Sequence, residues 1–468
     1  MEPVKIERFY LSCLAHASYA VMSESVAAII DPQRDVDIYL EAATRNGCRI
    51  EHIIETHLHA DFVSGHRELA ERTGARIYMG PGSEAQFPHM EVKDGDEIQF
   101  GRCRLRFLHT PGHTMESVCV LMTDLGQPGQ PQTVFTGDTL FIGDVGRPDL
   151  SAFYTPRELA GILYKSIHQK LLTLPGNTQI LPAHGAGSLC GRQMSEETSS
   201  TIETQRQTNY ALLARTSEEF VRLLTDDLPA RPEYFARDVD LNRRGAAPLS
   251  ELAPMAALAA PEVFRLQNEG AVVVDTRPAM QFAAAHVPGS VHVGLTGQYA
   301  SWAARILGLD TRLIINAEDP ERIRESQVRL ARVGIENVAG YLAEGMAGWE
   351  KEGFQLEHIP QATCQELVEL QEKEPGRIAV LDVREPGELN GGLIEKSVFI
   401  PLGDLRSRTG QLDRERLWVV HCRSGYRSSI ATSLLRRDGF RDVANLIGGF
   451  DAWKMAGLPY VVPGGNER

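Results

Sequence analysis

An apolar run ending in Asp-x-Arg occurs twice in this chain, and that repetition limits the fold more than any other feature. The first copy reads Ala271-Val-Val-Val-Asp275-Thr-Arg277 and the second Ile378-Ala-Val-Leu-Asp382-Val-Arg384. Each copy closes on a stretch bearing Gly and Trp, Gly340 to Trp349 in one and Gly448 to Trp453 in the other. Continuous apolar runs without alternation suit strands buried on both faces of a parallel sheet. Helical stretches separate the runs, so each copy reads as an α/β domain of about 100 residues. Their bounds are set at residues 258–356 and 361–463.

The N-terminal part, residues 1–244, is written differently, and a chain of 468 residues suits about three domains. Short β-like runs occur at Val26–Ile30, Arg104–Leu108, Val118–Met122 and Thr133–Phe135. A polar helical segment is expected from about Ser195 to Leu224, and the Ala-, Pro- and Gly-rich stretch Asn242–Pro261 reads as a linker.

Several histidines of the first part follow apolar strands. His57, His59 and Asp61 lie in Thr56-His-Leu-His-Ala-Asp-Phe62, after the run Ile50–Ile54. Further on come Pro111-Gly-His113-Thr, Gly137-Asp138-Thr and Pro182-Ala-His184-Gly. Loops at strand ends can converge, so residues distant in sequence can share one metal. The stretch resembles the His-x-His-x-Asp-His metal signature of the metallo-β-lactamase superfamily, with Phe62 where that signature has its last histidine. A phenyl ring has no lone pair to offer, so the resemblance implies a one-metal site and favours oxygen activation over hydrolysis. His16, His52, His66 and His89 have no motif support and read as packing or surface residues; His109 reads as structural.

In the last region the strand Leu417-Trp-Val-Val-His421 runs into Cys422-Arg423-Ser-Gly425-Tyr-Arg427 and then a helix. Backbone N–H groups and a helix N-terminus aimed at the sulfur stabilise a thiolate. Arg423 and Arg427 add positive charge, so Cys422 reads as a reactive nucleophile. Cys422 to Arg427 is a Cys-x4-Arg loop, one residue shorter than that of cysteine phosphatases. The matching stretch of the first copy, Asn316-Ala317-Glu318-Asp319-Pro320, has no cysteine and is negative where an anion cradle is positive. That copy reads as a spacer, an oligomer surface or a channel wall, with Asp275 and Arg277 supporting its fold.

A net charge of -14 argues against a general nucleic-acid or membrane-surface binder. No apolar run reaches the roughly 18 residues of a spanning helix, and no secretory signal is visible at the N-terminus. Seven scattered cysteines make no disulfide framework, so a reducing cytoplasm is expected and the cysteines other than Cys422 read as inert packing.

The histidine motifs, with Gly143-Asp-Val-Gly146-Arg147-Pro-Asp149, resemble the metallo-β-lactamase superfamily, and within it the persulfide dioxygenases. The Asp382-Val-Arg384-Glu-Pro start, the Cys422 loop and the Gly448-Gly449-x-x-Ala452-Trp453 end resemble rhodaneses. The resemblance implies an α/β multidomain protein: an αββα sandwich followed by two rhodanese-like domains with parallel sheets. It implies one non-haem Fe(II) per chain, held by His57, His113 and Asp138. Two imidazoles and a carboxylate leave open positions for oxygen and a sulfur substrate.

His59, Asp61 and His184 occupy positions that bind metal in two-zinc hydrolases. Beside Phe62 they are expected to orient ligands and water, with ligation by His59 the lesser alternative. Arg147 is open between supporting the metal loop, meeting an anionic substrate and a structural ion pair. The implied activity is oxidation of a low-molecular-weight thiol persulfide by O2 to sulfite, coupled to sulfur transfer at Cys422 that yields thiosulfate. Arg423 and Arg427 would steer the anion, and a homo-oligomer is the expected assembly. The rival readings are a two-zinc thioester hydrolase of the glyoxalase II kind carrying a sulfur-carrier domain, and a persulfide sensor switched at Cys422.

Overall fold

The computed structural model describes residues 2–226 and 228–463. The chain forms two compact units, Met1–Leu252 with Leu330–Gly334, and Ala253–Arg329 with Ile335–Arg468.

The first unit holds two six-stranded sheets. One runs, in spatial order, Lys5–Leu11, His16–Ser23, Val26–Ile30, Arg49–Ile54, Arg76–Met79 and Met90–Glu91. The other runs Ser200–Thr201, Gln179–Pro182, Thr133–Gly137, Val118–Asp124, Cys103–His109 and Glu97–Phe100. Strand alternation divides the side chains between two faces. Val118, Val120 and Met122 join Tyr19, Val21, Ile30 and Ile54 in a core between the sheets. Cys119 and Leu121 point the other way, onto Leu163, Ile167 and Phe220 of the outer helices. On the far side Ile29 and Ile53 meet Tyr39 and Leu69 of helices Asp37–Arg45 and His66–Thr73. The layers are therefore α, β, β, α, as expected.

Two local expectations need correction. The polar segment from Ser195 is not one helix but two, Ile202–Thr208 and Ser217–Thr225. Asn209 breaks it, because its backbone is extended and its side-chain amide donates to the Asp144 carbonyl at 2.9 Å. The stretch Asn242–Pro261 is not a free linker. Asn242 lies in the helix Phe235–Arg244, and its amide nitrogen donates to the carbonyls of His59 and Phe62, both at 2.8 Å. Ala256–Leu258 is a strand paired in parallel with Val338–Leu342.

The second unit is the duplicated one. Its first sheet is ordered Ala256–Leu258, Val338–Leu342, Leu313–Asn316, Val272–Asp275, Val291–His292, all parallel. Its second is ordered Gln361–Ala362, Val443–Leu446, Leu417–His421, Ile378–Asp382, Val398–Phe399, also all parallel. Arg277 forks onto Asp275 and Arg384 onto Asp382, each with a 2.6 Å contact from Nη2. Asp275 pairs with Asn316 and Asp382 with His421, so Ala317 occupies the place of Cys422. Among the described residues no helix is long and apolar enough to cross a membrane.

Candidate functional site

Every proposed metal ligand leaves the end of a strand in the two facing sheets. His57 follows Arg49–Ile54, His113 follows Cys103–His109, and Asp138 follows Thr133–Gly137. The loops meet in the interior. Asp138 Oδ2 lies 3.4 Å from His113 Nε2 and 3.7 Å from His57 Nε2. All three residues are buried, and these three atoms lack any hydrogen-bond partner. Burying unpartnered polar atoms is costly. Three that face one point fit a cation that replaces the missing bonds.

The other ring atoms are held so that these three stay available. His57 Nδ1 donates to Thr56 Oγ1 at 2.9 Å, and that hydroxyl donates on to Asp31 Oδ2 at 2.9 Å. His113 Nδ1 donates to the Arg147 carbonyl at 2.9 Å. Both imidazoles are thus fixed in the tautomer whose Nε2 lone pair faces inward. Burial pushes the His57 and His113 pKa values down, towards the neutral ligand form. Burial raises Asp138, but the imidazoles of His184 and His57 outweigh it and hold the carboxyl well below its usual range. Gly146 closes the arrangement: a Cβ there would stand 2.0 Å from the Asp138 carbonyl and 2.7 Å from His113 Nδ1.

The remaining sequence candidates fall elsewhere. His184 donates from Nδ1 to Asp138 Oδ1 at 2.7 Å, and its Nε2 meets Asp61 Oδ2 at 3.0 Å. His59 turns away, with Nε2 3.2 Å from Asp31 and 3.3 Å from Glu55. Burial lowers its pKa, but Asp31 and Glu55 together raise it to about 10. Phe62 is fully buried, its ring 4.1 Å from that of His16 and 4.4 Å from that of His59. Arg147 is buried against Asp149, with contacts of 2.6 and 2.8 Å, and also donates to the Leu189 and Pro229 carbonyls. Arg147 thus lies in an ion pair with Asp149, and its own carbonyl accepts from His113 Nδ1.

The Cys422 loop lies in the other unit. Cys422 is buried at the end of Leu417–His421, and the Gly425 N–H donates to its sulfur at 3.2 Å. The helix Tyr426–Arg437 starts at the next residue. From behind, the N–H groups of Phe450 and Asp451 donate to the carbonyls of Cys422 and Arg423 at 2.8 and 3.0 Å. This needs Gly449, whose φ is 56° and whose Cβ would lie 2.4 Å from the Cys422 carbonyl. The two arginines are less free than the sequence suggests. Arg427 forks onto Glu388 at 2.6 and 2.8 Å, and the exposed Arg423 meets Asp451 at 3.2 Å. In the first copy Asn316 donates to Asp275 at 2.8 Å, and three residues, Ala317 to Asp319, precede the helix Pro320–Ala331.

The family model of the metallo-beta-lactamase superfamily matches residues 11–184, and that of the rhodanese-like domain matches 260–352 and 363–456. The mitochondrial persulfide dioxygenase of Bos taurus is 34% identical over 226 residues, 47% of this chain and 78% of that protein. The chain belongs to the persulfide dioxygenase–rhodanese branch of the metallo-beta-lactamase superfamily. A hydroxyacylglutathione hydrolase of Francisella tularensis subsp. tularensis is 33% identical over 185 residues, 39% of this chain and 68% of that protein. A solved metallo-beta-lactamase of Staphylococcus aureus subsp. aureus COL matches with a TM-score of 0.67 at 30% identity, covering 73% of this chain and 99% of that one.

Sequence reasoning overlooked several residues around this family's metal centre. His16 is neither surface nor ordinary packing: it is fully buried, bridges to His184 in the backbone, and has no partner for either ring nitrogen. Cys190 brings its sulfur within 4.8 Å of ligand atoms of Asp61 and His184. No motif marks it. Asp31 was findable, since it directly follows the apolar run Val26–Ile30 as the proposed ligands follow theirs.

Proposed function

We propose that this chain oxidises a low-molecular-weight thiol persulfide with O2 and passes a second sulfur through Cys422 to give thiosulfate. The observation that carries the reading is the convergence of the unpartnered His57 Nε2, His113 Nε2 and Asp138 Oδ2. These would hold one non-haem Fe(II), and they form a two-histidine, one-carboxylate donor set. When bound, the iron supplies one-electron chemistry with O2 that zinc cannot. The balanced reaction is RSSH + O2 + H2O giving RSH, sulfite and two protons.

The chain's own residues hold the donors in register. Thr56 and the Arg147 carbonyl fix the two imidazoles, and His184 fixes the Asp138 carboxylate. Phe62 packs its ring against His16 and His59. In the other unit the Cys422 thiolate takes the terminal sulfur of a second persulfide and releases RSH. Sulfite then attacks that sulfur, thiosulfate leaves, and the Cys422 thiolate returns. The Gly425 N–H stabilises negative charge on the sulfur, and Arg423 and Arg427 favour the approach of the dianion.

The hydrolase relative favours a second reading, a two-zinc thioesterase. Phe62 speaks against it, since it takes the position from which a second metal would draw an imidazole. The test is metal analysis of anaerobically purified protein, followed by oxygen uptake with glutathione and coenzyme A persulfides. One iron per chain and persulfide-dependent uptake are expected. Two zincs, with thioester cleavage that needs no oxygen, would overturn the reading. All seven cysteines are unpaired, which suits the reducing cytoplasm we propose as its setting. The assembly we propose is a homo-oligomer, to be checked by sedimentation.

A further inference from the structure

We propose that the cysteine-less repeat is the positioning half of the sulfur-transfer site, acting through His292 and Gly294 on the helix that follows the Cys422 loop. The inference rests on Cys422 being the sulfur acceptor.

The cradle depends on where that helix begins. Gly425, whose N–H reaches the Cys422 sulfur, is the residue before Tyr426, and its φ of 111° makes it a pivot. A small rotation of the first helical turn therefore moves the N–H relative to the sulfur. The loop's own repeat holds the carbonyl side, through Phe450 and Asp451. The helix itself is held from the other repeat. The Tyr426 hydroxyl donates to the Gly294 carbonyl at 2.8 Å. The Ser429 hydroxyl bonds His292 Nδ1 at 2.9 Å, and the His292 backbone N–H donates to Ser433 Oγ at 3.0 Å. Residues 426, 429 and 433 fall on one face of a helix. All three bonds end on two residues of the cysteine-less repeat.

Those two residues are themselves fixed. His292 Nε2 donates to the Arg277 carbonyl at 2.9 Å, which leaves Nδ1 as the acceptor for Ser429. Arg277 is in turn forked onto Asp275. The turn after His292 is bound by Arg329, which donates to the carbonyls of Leu295 and Gly297 at 2.5 and 2.8 Å. A Cβ on Gly297 would lie 2.4 Å from the Tyr426 ring, so that ring rests directly on the turn's backbone. His292, Ser429 and Ser433 are buried. Buried directional bonds set one rotation and one depth for a helix, which apolar contact alone does not. The Asp-x-Arg motif retained in the cysteine-less copy thus supports the cysteine of its twin.

The test uses Ser429→Ala and the double variant Tyr426→Phe/Ser429→Ala in the full chain, with Ser429→Thr as rescue. The readouts are kcat for sulfur transfer and the acid limb of the pH profile of kcat/KM. The double variant is expected to lose about tenfold in kcat and to shift the acid limb upward, because a misplaced N–H stabilises the thiolate less. Ser429→Ala should show a smaller change in the same direction, and Ser429→Thr should restore the parent profile. Iron content and persulfide-dependent oxygen uptake should stay at parent levels. A kcat within twofold and an unmoved acid limb would overturn the inference, whatever happens to the melting temperature. Failure of the underlying assignment looks different: Cys422→Ser would then still transfer sulfur.

Discussion

His184 donates one ring N–H to Asp138 Oδ1 at 2.7 Å while its other nitrogen meets Asp61 Oδ2 at 3.0 Å. This leaves Asp138 one oxygen facing His57 and His113. Removing His184 should loosen the carboxylate without removing a ligand. His184→Ala is expected to weaken iron retention by roughly 10–100-fold. His113→Ala removes a donor and should abolish both iron retention and oxygen uptake. Anaerobic dialysis against a chelator, followed by metal analysis, separates the two. Parent-level retention in His113→Ala would refute its assignment as a ligand.

On the proposed one-iron reading, Phe62 keeps a second metal out. Its ring is buried between His16 and His59, close to the Asp61–His184 pair. Phe62→His would add an imidazole to that pair. The variant is expected to take up a second divalent cation per chain under anaerobic loading. Binding that stays at one equivalent, in a folded variant, would show that the phenyl ring is not what prevents the second site.

Cys422→Ser should release sulfite from persulfide and oxygen with little thiosulfate. Oxygen uptake should persist, because the serine lies in the unit without the metal centre. The measurement is chromatography of both anions with the non-enzymatic coupling subtracted. Thiosulfate at the parent level would count against transfer through this residue.

Glu388 gives a pH-dependent signature. Burial raises its pKa, but Arg427 outweighs burial and holds the carboxyl below its usual value. A depressed carboxyl adds stability that is present above its unfolded pKa and is lost as pH falls through the folded one. The pair is partly exposed, so its contribution is about 1 kcal/mol. The melting temperature of Glu388→Gln should therefore lie below the parent's at neutral pH, and the gap should close below the ordinary carboxylate range. The same variant frees the Arg427 guanidinium, so its KM for sulfite should fall. A gap that persists unchanged in acid would mean the pair does not set that difference.

The layers, the duplication and the main metal loops were legible because each has a local cause. Buried parallel strands are written as unbroken apolar runs, and the ligands lie just past such runs. The partners of the charged groups were not legible. Glu388 is 39 positions from Arg427, and Asn242 is 180 from Phe62. No periodicity links residues that far apart; packing brings them together. His59 and His57 are both buried and two positions apart, yet one faces Asp31 and Glu55 and the other faces Asp138. That choice is made by the carboxylates behind the loop.

Between strand and helix the cysteine-less copy has Ala317, Glu318 and Asp319, whereas its twin has Cys422 to Gly425. Its helix also opens on Pro320, which has no N–H to donate. Ala317→Cys would therefore install a thiol without the Gly425-like N–H that precedes the helix in the other copy. In this repeat the backbone itself, one residue shorter and opening on proline, withholds the cradle that the bare side chain would need.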